Sequence, residues 1–337
     1  MNEHAGAVGT QSPATAVGTQ SPATAVGTES PAPAVGTEHE PRHDRPFVSV
    51  VIPVYNDVDR LRLCLDALAA QDYPADRYEV LVVDNNSDQD QSAAMPDDER
   101  FQLLHEERRG SYAARNTALP LVRGSVVAFT DSDCLPAPDW LSRGVAALRA
   151  DPRPDAVGGA IRIFFDHGPR PRSGPEHFEA YNEFQQRKYV EEWSFAATAN
   201  LFVDAATLAR VGPFDASLQS GGDLDFGTRL GRSGARLVYD DDTVVNHPAR
   251  STWQELGRKT LRVANGIADR NAHQGRRHAL GRAVNEARGG VTIWLRVWDG
   301  SRPAPARAAD KVRYAAAFSY VRALRTAVHL GRFATGR

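Results

Sequence analysis

The chain changes character at Phe47. From there FVSVVIPVYN is an unbroken β-branched run bounded by polar residues, the pattern of a strand buried on both faces. Leu61, Leu65 and Leu68 follow at helical spacing behind Asp57, which is placed to cap the helix, and Tyr73-Pro74 closes the segment. Glu79 to Asp84 (EVLVVD) is a second apolar strand and completes a βαβ unit. The pattern recurs as FQLLH (Phe101 to His105), a helix from Ser111 to Val122, and SVVAFT (Ser125 to Thr130). This alternation predicts an α/β fold on a mostly parallel central sheet.

Both ends of the chain depart from that pattern. AVGTQSPAT occupies Ala7 to Thr15 and again Ala16 to Thr24, AVGTESPAP follows at Ala25 to Pro33, and a partial copy starts at Ala34. Without large apolar residues these repeats cannot offset the entropy of ordering, so 1–46 is expected to be a disordered tail. Beyond Pro248, helical stretches are expected over Ser251 to Asn271, Arg277 to Trp298 and Ala306 to Phe333. Trp294, Trp298, Tyr314, Phe318 and Leu324 are their candidate apolar anchors. The organisation is therefore a tail (1–46), an α/β domain (47–248) and a helical C-terminal region (249–337).

Composition narrows the function. With 42% hydrophobic and 24% charged residues the chain is globular, and a net charge of −2 lacks the basic excess of a nucleic-acid binder. The charge is polarised: Arg250 to Arg337 holds eighteen Lys and Arg against five Asp and Glu, net +13, leaving −15 for the rest. Packing of this basic part on the α/β domain is the leading expectation, with an anionic membrane surface or an anionic acceptor as the alternative. Cys64 and Cys134 stand far apart outside any CxxC pattern and read as reduced thiols. There is no apolar run of roughly 18 residues and no basic-then-apolar leader, so the expected location is cytoplasmic, with peripheral membrane contact as its variant.

Open α/β sheets bind ligands beyond the carboxyl ends of their strands. Here those ends are Tyr55-Asn56, Asp84-Asn85-Asn86-Ser87-Asp88 and the D-x-D of Asp131-Ser132-Asp133. Each alone fits a turn or a cap, but three on one sheet edge describe a site. Asp131 and Asp133 offer hard oxygen ligands for a divalent ion that bridges to phosphates. Since neither a Walker loop nor GxGxxG follows any strand, such an ion would take over the neutralising role of a glycine-rich phosphate loop.

From Phe47 to about Pro248 these motifs resemble the inverting glycosyltransferases of family 2, which have the GT-A fold. The resemblance rests on the ordered set VSVVIPVYN, EVLVVDNNSDQD, RGSYAARNTAL, GSVVAFTDSDC, FAATANLFVDAATLARVGPFDASL, SGGDLDFGTRL and VVNHP. It implies a GT-A nucleotide-diphosphate-sugar-binding fold with a helical C-terminal region. By the same resemblance Asp84 would bond the nucleobase, with Pro53 and Tyr55 lining its pocket. Arg115 and Asn116 would flank the diphosphate and sugar, Asp131 would contact ribose or sugar, and Asp133 would be the principal ligand of Mn²⁺ or Mg²⁺. His247 would add a metal or diphosphate contact, or would be a strand-end histidine bonded to a loop carbonyl.

Asp223 matches the catalytic base, with Asp225 as a substitute if the loop shifts; Asp223 also fits a helix start. Where the family has Glu ahead of this Asp, Gly222 stands here. The implied reaction moves a sugar, UDP-linked in this expectation, to a glycan, lipid-linked or small-molecule hydroxyl with inversion. The alternatives are a nucleotide-sugar-binding protein without transfer activity and a sugar-phosphate nucleotidylyltransferase; the first strand lacks the G-x-G-T-R-x-x-P of the latter.

Overall fold

The structure, a computed structural model, describes residues 45–182, 184–271 and 274–335. The repeats and nearly all of the expected 1–46 tail lie outside the described residues. The first elements are β1 (Val48–Val54), α1 (Val58–Ala69), β2 (Tyr78–Asp84), β3 (Phe101–His105), α2 (Ser111–Ala118) and β4 (Val126–Thr130). Then come β5 (Leu135–Pro136), α3 (Trp140–Leu148), β6 (Ala156–Phe164), α4 (Gly174–Asn182), α5 (Gln186–Trp193), β7 (Asn200–Asp204), α6 (Ala205–Val211), α7 (Gly222–Arg232) and β8 (Leu237–Pro248). Three helices close the described chain: α8 (Trp253–Arg270), α9 (Gly275–Arg296) and α10 (Ala308–Thr335).

One eight-stranded sheet runs in the order β3-β2-β1-β4-β7-β6-β8-β5. The first four strands are mutually parallel, as the βαβ pattern predicts. β7 is antiparallel to both β4 and β6, β5 is antiparallel to β8, and β6 pairs with β8 in parallel. Both faces are covered. Val48, Val50, Ile52 and Val54 turn to one side with Leu61, Leu65 and Leu68 of α1, while Val51 packs on the other with Tyr112, Phe129 and Phe226. Each fully buried leucine of α1 contributes about 1.5–3 kcal/mol, and Leu65→Ala would cost about 2–5 kcal/mol.

Two local features shape the site edge. The β1–β4 ladder ends at Val51↔Phe129, so Pro53, which has no N–H to donate, lies where these strands have parted. The register of β6 on β8 shifts between Gly159 and Ala160, where buried Asn200 donates to the carbonyls of Ala160 and Thr243, 2.8 Å each. Gly159 is required there, because a Cβ would lie 2.3 Å from the Thr243 oxygen. This shift sets the register that brings Asn246 opposite Leu135 of β5, and with it His247 beside Asp133.

The predicted helix from Ser111 shortens: α2 ends at Ala118, and a 3₁₀ turn over Leu119–Leu121 carries Pro120. Asp57 occupies the N-cap position of α1, but its side chain makes no capping bond. A Thr252–Glu255 capping box starts α8 immediately after the last strand. Phe178 of α4 shares a buried cluster with Leu256, Ile293, Tyr314, Phe318 and Val321, and the described residues form one compact unit. Tyr314 and Phe318 are thus inward anchors, whereas Trp294 and Trp298 face outward and Leu324 is partly buried. Among the described residues no helix is long and apolar enough to cross a membrane.

Candidate active site

The carboxyl ends of β2, β1 and β4 lie side by side, as the strand order requires, and carry the predicted polar residues. Asp84, at the end of β2, accepts from the Ser87 N–H at 3.1 Å and faces the His105 Nδ1 at 3.3 Å. Asn56 joins the strand ends: its Oδ1 accepts from the Asp88 N–H at 2.7 Å and its Nδ2 donates to the Asp88 carboxylate at 3.0 Å. Exposed Tyr55 carries the Arg109 guanidinium 4.7 Å above its ring, and Arg109 also donates to its hydroxyl. Pro53 is buried beneath this shelf.

Beyond β4 the chain passes Asp131, Asp133 and Cys134 into β5, beside the end of β8. Ligand atoms of Asp131, Asp133, Cys134 and His247 lie within 4.8 Å of one another. His247 Nδ1 sits 2.8 Å from the Pro248 carbonyl, an acceptor to which it donates, and its Nε2 faces the cluster 3.6 Å from Asp133. The histidine thus bonds a carbonyl, as one of the two expectations has it, and faces the acidic pair. Two carboxylates and an imidazole nitrogen form a donor set of the kind that holds a divalent ion. Burial and the two carboxylates push the Cys134 thiol well above its ordinary range, so it stays protonated.

Arg115, on α2, is 2% exposed and donates to Asp131 at 2.5 Å. Its Nε is buried with no acceptor among the described residues. Asn116 is used otherwise: its Nδ2 donates to the Phe214 carbonyl at 2.7 Å and its Oδ1 accepts from the Phe214 N–H at 2.9 Å. It ties α2 to the segment ahead of α7.

Asp223 lies in the first turn of α7 and accepts from the Thr198 hydroxyl at 3.0 Å. Loss of solvent raises its carboxyl above the ordinary range; Arg115 opposes that shift and Asp131 adds to it. The Tyr112 ring packs against Gly222, and burial, with the charge of Asp223 added, pushes its ionisation up to about 12. Asp225 instead pairs with Arg229 at 2.9 Å, one turn on along α7.

Three contributors escape the sequence patterns. Asp57, which the pattern offers only as a helix cap, is raised to about 6 by burial and then by the charge of Asp133, so it extends the acidic cluster. Its signal is its position, directly behind the polar end of β1. Thr198 sits two residues before β7, whose Asn200 pairs with Thr130, and this antiparallel pairing delivers it to Asp223. Tyr112 stands within the RGSYAARN motif, where it looks like a core aromatic.

A strand-end acidic cluster beside a buried arginine, on a parallel half-sheet that turns antiparallel, is the layout of a GT-A transferase. The glycosyl transferase family 2 pattern matches residues 49–206. The chain is 38% identical to glycosyltransferase AglE of Haloferax volcanii over 226 residues, 66% of this chain and 73% of that protein. It is 30% identical over 223 residues to the pre-mycofactocin glycosyltransferase of Mycobacterium tuberculosis, covering 64% of this chain and 45% of that protein. Among solved structures, the mannosyltransferase PcManGT of Pyrobaculum calidifontis, in complex with GDP-Man and Mn²⁺, aligns with a TM-score of 0.53 at 23% identity. That alignment covers 87% of this chain and 76% of that chain. The chain belongs to glycosyltransferase family 2 and is a glycosyltransferase with a GT-A-type fold.

Proposed function

We propose that the protein transfers a sugar from a nucleoside-diphosphate sugar to an acceptor hydroxyl, with inversion and with the help of a divalent ion. The observation that carries this reading is the buried Arg115. It pairs with Asp131, lies in the field of Asp223, and keeps one donor without a protein acceptor among the described residues. An oxygen of the donor's diphosphate or sugar would complete its hydrogen bonding.

Asp131, Asp133 and His247 would hold the ion, which when bound offsets negative charge on the departing diphosphate. Asp84 would accept from an imide N–H of the base, a group present in uracil and guanine and missing from adenine and cytosine. This chemistry leaves UDP-linked and GDP-linked donors in play. Tyr55, backed by Arg109, would cover the base from the solvent side.

Asp223 would take the acceptor proton as the oxygen attacks the anomeric carbon opposite the leaving group. Thr198 orients the carboxylate, and the Tyr112 ring packed on Gly222 braces the start of α7 that carries it. Melting shifts with UDP, GDP, ADP and CDP, each with and without Mn²⁺, test the donor class. Shifts confined to UDP or GDP with Mn²⁺ are expected, and equal shifts with all four nucleotides would refute the role of Asp84. Transfer from the matching sugar nucleotide, with the product's anomeric configuration read by NMR, tests inversion.

A further inference from the structure

Helix α9 carries two apolar faces. Ala283 and Ile293, with Val297 just beyond the helix, are buried, and Ile293 and Val297 share the cluster with Tyr314 and Phe318 of α10. Leu280, Val284, Val291, Trp294 and Leu295, with Trp298 just past the helix end, are all exposed, Val291 and Leu295 at 73% each. At about 100° per residue these six fall within an arc of roughly 100°, a continuous apolar stripe facing outward.

We propose that this stripe seats the protein on an anionic lipid surface, with α9 lying in the plane of the headgroups. Charge selects the occupant. Arg277 and Arg288 are exposed along one margin of the stripe, while the single carboxylate of α9, Glu286, is buried against Arg322 at 2.6 Å. The outer surface of the helix is therefore apolar and cationic, in a region of net +13. Exposed tryptophans and arginines on one helix surface suit the boundary between headgroups and acyl chains. Trp294 donates its indole N–H to Ser319 at 3.0 Å, so its polar edge is already bonded while the ring stays exposed. A second copy docked stripe to stripe and antiparallel would bring Arg277 and Arg288 of both chains to the same margin, which disfavours that self-association.

The arginines differ in their uses. Arg313 pairs with Asp310 at 2.6 Å, and Arg322 crosses to Glu286 and packs over Gly289, so both serve the helical bundle. Arg277 and Arg288 are the positions to reverse.

The test uses the full chain with vesicles of phosphatidylcholine alone or with added phosphatidylglycerol. Binding is expected on the anionic vesicles, weakening with salt, with a blue shift of tryptophan emission. Val291→Glu with Leu295→Glu should lower vesicle affinity at least tenfold, as should Arg277→Glu with Arg288→Glu. The melting temperature and the nucleotide-induced shift should stay in place, which separates this proposal from the donor-site reading. If the glutamate pair fails to fold, quenching of wild-type tryptophan emission by brominated lipid reports the seating of the stripe directly, and emission that brominated lipid leaves unquenched counts against it. Negligible sedimentation with both vesicle types overturns the proposal. So does a concentration-dependent dimer that Val291→Glu with Leu295→Glu abolishes while vesicle binding is absent.

Discussion

The ring of Tyr112 stands where a side chain at Gly222 would stand: a Cβ on Gly222 would lie 2.7 Å from the Cε2 and Cζ atoms of that ring. Family 2 ordinarily places Glu ahead of its catalytic Asp, and here the space for it is filled from α2. Tyr112 stacks on Phe214 with centroids 5.9 Å apart, and its ring packs on the glycine that opens α7. The residue that excludes the glutamate thus also anchors the helix that presents Asp223.

Gly222→Ala should therefore destabilise the protein by about 1–3 kcal/mol, the usual cost of overpacking, and Gly222→Glu by at least as much. Urea midpoints measure it. In a Tyr112→Ala background the cost of Gly222→Ala should largely vanish; an unchanged cost would mean the two residues do not share this space.

Legibility follows burial. β1, β2 and β4 are plain in the sequence because strands covered on both faces leave long apolar runs. β5 has two residues, β6 begins AVGG, and β8 carries Asp240 to Asp242 in its middle, so none of these offers a period to read. Asp131, Asp133 and His247 can be named from motifs, but their meeting depends on the shift at Gly159, which is a tertiary feature. Asp57 and Asn116 have partners in the structure that the sequence does not name, for one reason. Caps, clamps and ligand contacts use the same residue types, and only the partner atom distinguishes them. Periodicity makes Trp294 and Trp298 look like inward anchors, because it does not tell which of two apolar faces meets the protein.

Asp133→Asn should remove the Mn²⁺ dependence of nucleotide binding and most of the turnover, since it takes a carboxylate from the centre of the acidic cluster. His247→Ala should weaken Mn²⁺ binding without abolishing it, because Asp131 and Asp133 remain. Calorimetric titration of Mn²⁺ in the presence of nucleotide checks both, and unchanged affinity in the two variants would dismiss the cluster as a metal site.

Asp223 gives a prediction with opposite signs for activity and stability. Its carboxyl lies above the ordinary value in the folded protein, chiefly through loss of solvent. The folded state therefore binds this proton more tightly than the unfolded chain. The stabilisation this confers is present below the unfolded pKa and is lost as pH rises through the folded one. Asp223→Asn should then raise the melting temperature at neutral pH while lowering kcat by roughly 10²–10⁴-fold. Thr198→Ala removes a bond that favours the carboxylate, so the acid limb of the rate–pH profile should move to higher pH. An unmoved limb would show that another group sets it.

The two cysteines test whether the acidic cluster is a hard-donor site. Cys64 and Cys134 are free and fully buried, and Cys134 directs its Sγ at Asp133 across 3.9 Å. Burial, followed by the charges of Asp133 and Asp131, raises both thiols, which removes the thiolate that reaction with a disulfide reagent or capture of a soft metal requires. Native protein should therefore leave both thiols unreacted toward an aromatic disulfide reagent, and both should react once urea unfolds the chain. Cys134→Ser should keep Mn²⁺ affinity within about twofold, because Asp131, Asp133 and His247 supply the ligands suited to that ion. Rapid labelling of one thiol in the native state, or loss of Mn²⁺ binding in Cys134→Ser, would make Cys134 a working ligand and redefine the centre as mixed oxygen, nitrogen and sulfur.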